Sequence, residues 1–298
     1  MKTKTTRLAS PVWGSLLLML ALLVTPVASS AAVYLSVAIA PPALPVYVQP
    51  PVPGPGYIWT PGYWGYGADG YYWVPGTWVL APFIGALWTP GYWGWGNGAY
   101  FWHGGYWGPH VGYYGGINYG FGYGGVGYHG GSWNGGTFSY NSAVTNVNVN
   151  NIHNTYNQPV VQNTAVSRVS YNGGAGGIAA QPTAEERLAE SEHHLQATQL
   201  QTRHQQLAST NRAQFASVNH GTPSLAATSR AAAFKQANAV GPATGHPQYT
   251  GQAHSVATTQ NASHPPGYGQ NAPHPQGQPH PQGQPHPQGH PQEHEERR

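Results

Sequence analysis

Side chains able to do acid–base or nucleophilic chemistry are scarce in this 298-residue chain. Between residues 41 and 180 there is no Glu, Lys or Cys, and apart from tyrosine the ionisable groups are Asp69, His103, His110, His129, His153 and Arg168. Paired carboxylates, a Ser-His-acid arrangement with a buried acid, and a cysteine nucleophile each lack a member there. Asp69, the only aspartate, falls in GADG (67–70), where a loop is expected and Asp is ordinary turn chemistry. GFGYGG (120–125) spells a phosphate-loop glycine pattern, but it opens no helix and lies in a tract where nearly half the residues are glycine. The expectation is a protein without catalytic residues or cofactor, and not an enzyme.

Histidine offers the one rival chemistry. Eight of the 16 lie beyond residue 240, and His274, His280, His286, His290 and His294 recur at spacings of 6, 6, 4 and 4 in a Pro-rich tail. Neutral imidazoles are good ligands for Cu(II), Ni(II) and Zn(II). A low-complexity tail supplies no second layer of groups to orient them, so any binding is expected to be loose and pH-dependent, and no defined metal site is assigned. His193 and His194 are expected to face solvent from a helix.

The elements that could position any site are aromatic. The pattern WxxGxW occurs four times, as Trp59 to Trp64, Trp73 to Trp78, Trp88 to Trp93 and Trp102 to Trp107, and residues 59–78 map onto 88–107 with a constant offset of 29. The repeating unit is therefore a pair of motifs. If GADG is a hairpin loop, Trp64 faces Trp73, Trp59 faces Trp78 and Tyr66 faces Tyr71, while Pro61 meets Gly76 and Gly62 meets Pro75, a place for a bulge. The second unit repeats this around 96–99, pairing Trp95 with Tyr100, Trp93 with Trp102 and Trp88 with Trp107. Gly65 opposite Tyr72 and Gly94 opposite Phe101 place a ring over a bare strand backbone. The predicted fold is mainly β: two antiparallel hairpins with aromatic cross-strand ladders. The competing reading makes each PG a tight type II turn and breaks the unit into a meander.

Residues 57–107 carry nine Trp, eight Tyr and two Phe. Burial of that many rings offsets the ordering cost of so short a segment only if most of them pack. Core is thus the first reading of the eight motif tryptophans, and an exposed surface for sugar stacking or partner binding is the second.

Around the repeats the composition shifts sharply. Residues 1–32 read as a secretory signal peptide, with Lys2, Lys4 and Arg7 before the apolar run Leu16–Val24 and then small residues. That run falls short of the ~20 residues of a membrane span, so no integral span is expected after cleavage. Removing those three cations from 11 basic residues leaves eight against eight acidic, and the electrostatic case for nucleic acid disappears. Without cysteine the mature chain has no disulfides or lipidated cysteine.

Residues 33–56 read as a Pro-rich lead with a short strand. Residues 108–181 read as a β/loop segment, in which Tyr119, Phe121 and Tyr123 alternate with glycine as a strand would, and Asn146, Asn148 and Asn150 alternate with valine as a weak one. A polar helix is predicted over 182–221, opened by the Thr183–Glu186 capping box and closed at Gly221, with a thin apolar stripe. Residues 222–298 read as a disordered His/Pro/Gln-rich tail.

The segments PGYIWTPGYWGYG, GYYWVPGTW, LWTPGYWGWG and FWHGGYWG resemble the WXXGXW (YXWGXW) repeat family of exported bacterial proteins. GPHVGYYGGINYGFGYGG, RVSYNGG and NRAQFASVNHG are similar to segments that accompany these repeats in longer members, so the resemblance spans roughly residues 40 to 222. The fourth motif departs from the rest with Gly104 in place of proline. The resemblance implies a periplasmic, outer-membrane-associated or secreted protein and supplies no catalytic residue. The expected role is structural or interaction-based, with self, cell-wall glycan or the outer-membrane surface as partner. A glycan- or peptidoglycan-binding module and low-affinity metal binding by the tail are the alternatives.

Overall fold

The tryptophan ladders set the architecture. The computed structural model describes residues 36–160, 167–235 and 239–243, and a short strand β1 (Ser36–Val37) precedes the repeats. Repeat one runs through β2 (Tyr57–Thr60), β3 (Tyr63–Gly67), β4 (Gly70–Val74) and β5 (Gly76–Leu80). Repeat two runs through β6 (Leu87–Thr89), β7 (Tyr92–Gly96), β8 (Ala99–His103) and β9 (Tyr106–Gly108). The antiparallel register is the one the sequence predicts: Trp59 opposite Trp78, Trp64 opposite Trp73, Trp88 opposite Trp107 and Trp93 opposite Trp102. Asp69 sits exposed in the first turn, and the second turn runs through Asn97 and Gly98 at φ 48° and 80°, the positive values a two-residue type I′ turn needs.

Both hairpins are split where the sequence has PG or GG. β2 pairs with β5 and β3 with β4 in separate sheets, as do β6 with β9 and β7 with β8, yet the register passes the break without slipping. The break is neither the bulge nor the tight turn of the two sequence readings. It is a kink at which glycine approaches glycine: a Cβ on Gly62 would lie 2.8 Å from the Gly76 nitrogen, and one on Gly91 2.8 Å from that of Gly105.

This geometry accounts for every letter of WxxGxW. The glycine of each motif lies beneath the first tryptophan of the motif opposite. Added Cβ atoms would meet the indole edge at 2.2 Å for Gly62 under Trp73, 2.6 Å for Gly76 under Trp59, 2.5 Å for Gly91 under Trp102 and 2.4 Å for Gly105 under Trp88. That same first tryptophan packs against the second tryptophan of the opposite motif. The ring centroids are 5.2 Å apart for Trp59–Trp78, 5.3 Å for Trp64–Trp73, 5.2 Å for Trp88–Trp107 and 5.4 Å for Trp93–Trp102. Tilted and edge-to-face pairs of this kind contribute ~0.5–1.5 kcal/mol each beyond burial.

The two repeats meet across one core. Tyr123 donates its hydroxyl to the carbonyls of Trp59 (3.3 Å) and Trp88 (2.8 Å), which are equivalent positions of the two repeats, and Trp93 Nε1 donates to the Trp64 carbonyl at 2.8 Å. Tyr123 belongs to a hairpin of β10 (Asn118–Gly120) and β11 (Tyr123–Gly124), so the alternating Gly/Tyr tract is not the single strand its period suggests. Phe121 (φ 52°) and Gly122 (φ 95°) turn it back on itself. A second hairpin, β12 (Gly131–Asn134) with β13 (Thr137–Asn141), extends by parallel pairing to β14 (Thr155–Tyr156). The Asn/Val alternation is likewise no strand: Asn146 clamps the lead, its backbone N–H donating to Gln49 Oε1 (2.8 Å) and its side chain to the Gln49 carbonyl (2.7 Å). β15 (Tyr171–Asn172), inside the RVSYNGG segment, pairs with β7, and β1 pairs with β8.

The expected single helix over 182–221 is broken. α1 (Ala184–Glu190) starts at the predicted Thr183 capping box, but the chain leaves the helix at Ser191 and forms β16 (Leu195–Gln196) against the free edge of β9. α2 (Gln199–Thr210) restarts at a second box, Thr198–Gln201; a 3-10 turn (Arg212–Gln214) and α3 (Ala216–Asn219) follow. With so thin an apolar stripe, a continuous helix had little to bury, and the unpaired edge of β9 had backbone groups to satisfy. His193 is exposed as expected, whereas His194 stacks on Tyr106 with centroids 3.7 Å apart.

The tail assignment also begins too early. Leu225–Thr228 is buried, β17 (Ala227–Thr228) pairs with β5, and β18 (Ala239–Val240) pairs with β17. Trp73 Nε1 and the Gly76 N–H both donate to the Ala226 carbonyl, at 3.0 and 3.1 Å. The signal-peptide assignment and the tail histidines lie outside the described residues. Among the described residues no helix is long and apolar enough to cross a membrane.

Candidate binding site between the repeats

Seven of the eight motif tryptophans are buried: Trp59, Trp64, Trp73, Trp78, Trp88, Trp93 and Trp107. Five of their indole nitrogens are spent on the fold, Trp64 donating to Ala43, Trp73 to Ala226, Trp78 to Pro50, Trp93 to Trp64 and Trp107 to the side chain of Gln201, whereas the buried Trp59 Nε1 has no partner among the described residues. The eighth, Trp102, is half-buried. It stacks on Tyr63 of the other repeat, centroids 4.9 Å apart and planes 20° from parallel, and stands between two openings.

The first opening is a cavity of about 190 Å³ where the kinks of the two repeats face each other. Tyr63, Trp88, Trp102 and Tyr119 give it aromatic walls, and α2 closes it with Gln201, His204 and Gln205. Among the described residues no Asp, Glu, Lys or Arg lines it. α2 is held across both repeats. His204 bonds the Pro75 carbonyl of repeat one at 2.9 Å, while Gln201 Oε1 accepts from Trp107 of repeat two and from the Thr198 N–H, both at 2.8 Å.

Those bonds assign roles by elimination. Ala232 donates its N–H to His204 Nδ1 at 2.9 Å, so the ring proton sits on Nε2 and goes to Pro75. With both nitrogens engaged, His204 is a fixed brace. Burial holds its pKa down at about 4, the bond to Pro75 opposing in part, so the ring is neutral at ordinary pH. Gln201 has its amide oxygen fixed by two donors, which turns its NH₂ into a donor with no hydrogen bond among the described residues. Gln205 likewise leaves its amide oxygen unbonded while its NH₂ reaches the Tyr72 hydroxyl at 3.3 Å.

The second opening, about 270 Å³, lies on the outer face of repeat two between Tyr92, Trp102, His103, Tyr106, Tyr113 and Glu190. His103 lies flat on Tyr92, centroids 4.5 Å apart and planes 6° from parallel. Glu190 brings one carboxylate near this imidazole. A second acid close by, Glu192, pairs with the exposed His110 at 2.7 Å, an arrangement that contributes little when solvated. The remaining ionisable residues singled out from the sequence are dispersed: His129 and His153 are exposed on separate loops, and Arg168 clips the lead through its Nε to the Leu44 carbonyl at 2.7 Å. Among the described residues no group of three or more His, Cys, Asp or Glu could hold a metal ion.

The residues that sequence reasoning missed are Tyr63, Tyr119, Gln201, His204 and Gln205, which come from segments up to 142 positions apart. One signal for them was present. Thr198 followed by Gln201 is a capping box, and it marks the start of the helix that closes the cavity.

A sequence model of the WXXGXW repeat matches residues 54–79 and 87–107, so the chain carries two copies of that repeat. No curated protein and no solved structure matches the chain.

Proposed function

We propose that this protein is a non-enzymatic, exported component of the cell envelope, in which the WXXGXW repeats are a packed scaffold and the role is interaction with an envelope partner. One observation carries the reading: the motif residues are consumed in pairing with each other, first tryptophan over glycine and against second tryptophan, with seven of the eight rings buried. A broad stacking face made of the motif tryptophans is therefore not the surface on offer. What the scaffold presents is the gap between its two halves, roofed by α2. The signal-like residues 1–32 and the resemblance to exported bacterial proteins support an envelope location.

Tryptophan fluorescence of the purified chain, with an acrylamide-quenching series run with and without peptidoglycan and outer-membrane fragments, tests this. Shielded emission from most rings, changed modestly by one of these partners, is the expected result. Strong quenching of most tryptophans in the free protein would sink the scaffold reading.

A further inference from the structure

We infer that the cavity between the repeats is a binding site for a single neutral sugar ring. This deepens the interaction reading above and rests on it. The size fits one ring: an apolar cavity of ~150 Å³ accepts benzene, and this one measures about 190 Å³. Its walls mix two kinds of surface that a pyranose also carries. The flat C–H faces of a sugar suit the rings of Tyr63, Trp102 and Tyr119, and its hydroxyls suit the donor left on Gln201 and the acceptor left on Gln205. A wholly apolar occupant would cover the half-buried Gln201 NH₂ and leave it unpaired, at a cost. A charged sugar would enter a lining that offers no counter-ion among the described residues. A peptide chain needs a groove several residues long, and this enclosure takes one ring.

The site also explains the one departure in the motifs. Three of them carry proline before glycine; the fourth has Gly104, which borders both openings, and a Cβ added there would meet nothing within 4 Å. The missing proline ring leaves the wall open at that point. The donor of Gln201 is held in place before any ligand arrives, because its oxygen is fixed by Trp107 and Thr198, which lowers the ordering cost of binding.

The experiment is a titration of the purified full chain with glucose, N-acetylglucosamine and cellobiose, read by tryptophan fluorescence and by saturation-transfer NMR. Glucuronate and a peptide of residues 274–285 (HPQGQPHPQGQP) are run beside them. Saturable binding of a neutral sugar at roughly 1 mM, with glucuronate at least tenfold weaker, is expected for a one-ring ligand. Gly104→Trp should weaken it at least tenfold without lowering the melting temperature. If Gly104→Trp folds poorly, Gln205→Ala is read instead and should weaken binding severalfold. Absence of saturable binding by all three neutral sugars overturns the proposal. So do equal binding of glucuronate, binding of the peptide alone, or wild-type affinity in a folded blocking variant. Loss of this site with the tryptophans still shielded would leave the scaffold reading standing.

Discussion

The two repeats are built from the same motifs in the same register, yet they end in different surroundings. Trp73 in repeat one is 1% exposed and bonded to Ala226; its equivalent in repeat two, Trp102, is half-buried and borders two openings. Pro75 has its carbonyl bonded by His204, whereas its equivalent Gly104 faces open space. At the hairpin tips Tyr66 is partly covered, and its equivalent Trp95 is 41% exposed. Repeat one receives β17 beside β5 and α3 against β4, with Tyr72 bridging to Phe215, and shares α2 with repeat two, whose other companions are short strands at its edges. The motif thus determines the hairpin, and the segments that dock on it determine which copy is sealed and which stays accessible. Accessibility in this fold is a property of the companions.

Truncating equivalent tryptophans is the most forceful way to break that comparison. Trp73→Ala should cost ~3–5 kcal/mol in equilibrium unfolding, the range for emptying a closed aromatic site, and Trp102→Ala about 1–2 kcal/mol, because solvent already reaches its ring. Equal costs would mean that the second repeat is sealed as tightly as the first.

Acid should act next, through repeat one. The folded pKa of His204, about 4, lies below its ordinary 6.5, so the unfolded chain takes the proton first. Its contribution is complete above pH 6.5, declines as the pH falls toward 4, and is level below that, a loss of about 3 kcal/mol. Denaturation midpoints at pH 7.5, 5.5 and 4 measure it, and His204→Gln should flatten the slope while keeping a donor for Pro75.

Glycine substitutions sharpen the comparison at the kinks. Gly76→Ala and Gly105→Ala drive a methyl into Trp59 and Trp88 respectively and should each cost ~1–3 kcal/mol. Gly104→Ala, one residue away from Gly105, should stay within ~0.5 kcal/mol of the parent, since nothing stands near its Cβ. A large penalty at Gly104 would show that the wall of the cavity is closed in solution.

How legible each region was follows from how local its determinants are. The ladder register could be read because both strands of each hairpin lie within about 25 residues and carry matching rings on either side of a turn. The helix break at Ser191 could not, since it depends on the free edge of β9 some 90 residues earlier. The alternating glycines at 120–124 misled, because period two describes a strand and also a tight hairpin whose turn tolerates positive φ. The buried stretch at 225–228 is small and Ala-rich, and residues of that kind carry no periodic signal.

By itself the sequence determined the two hairpins, their register and the pairing of tryptophan with tryptophan, because these rest on nearest-partner contacts within one short segment, and its ring count already favoured core for the motif tryptophans. Only the tertiary structure decided that Trp102 is the motif ring left half-accessible, that α2 bridges the repeats, and that an aromatic cavity bordered by two amides is left between them. Those features arise where segments distant in sequence satisfy each other's backbone groups and apolar faces, and no local pattern encodes which segment will arrive.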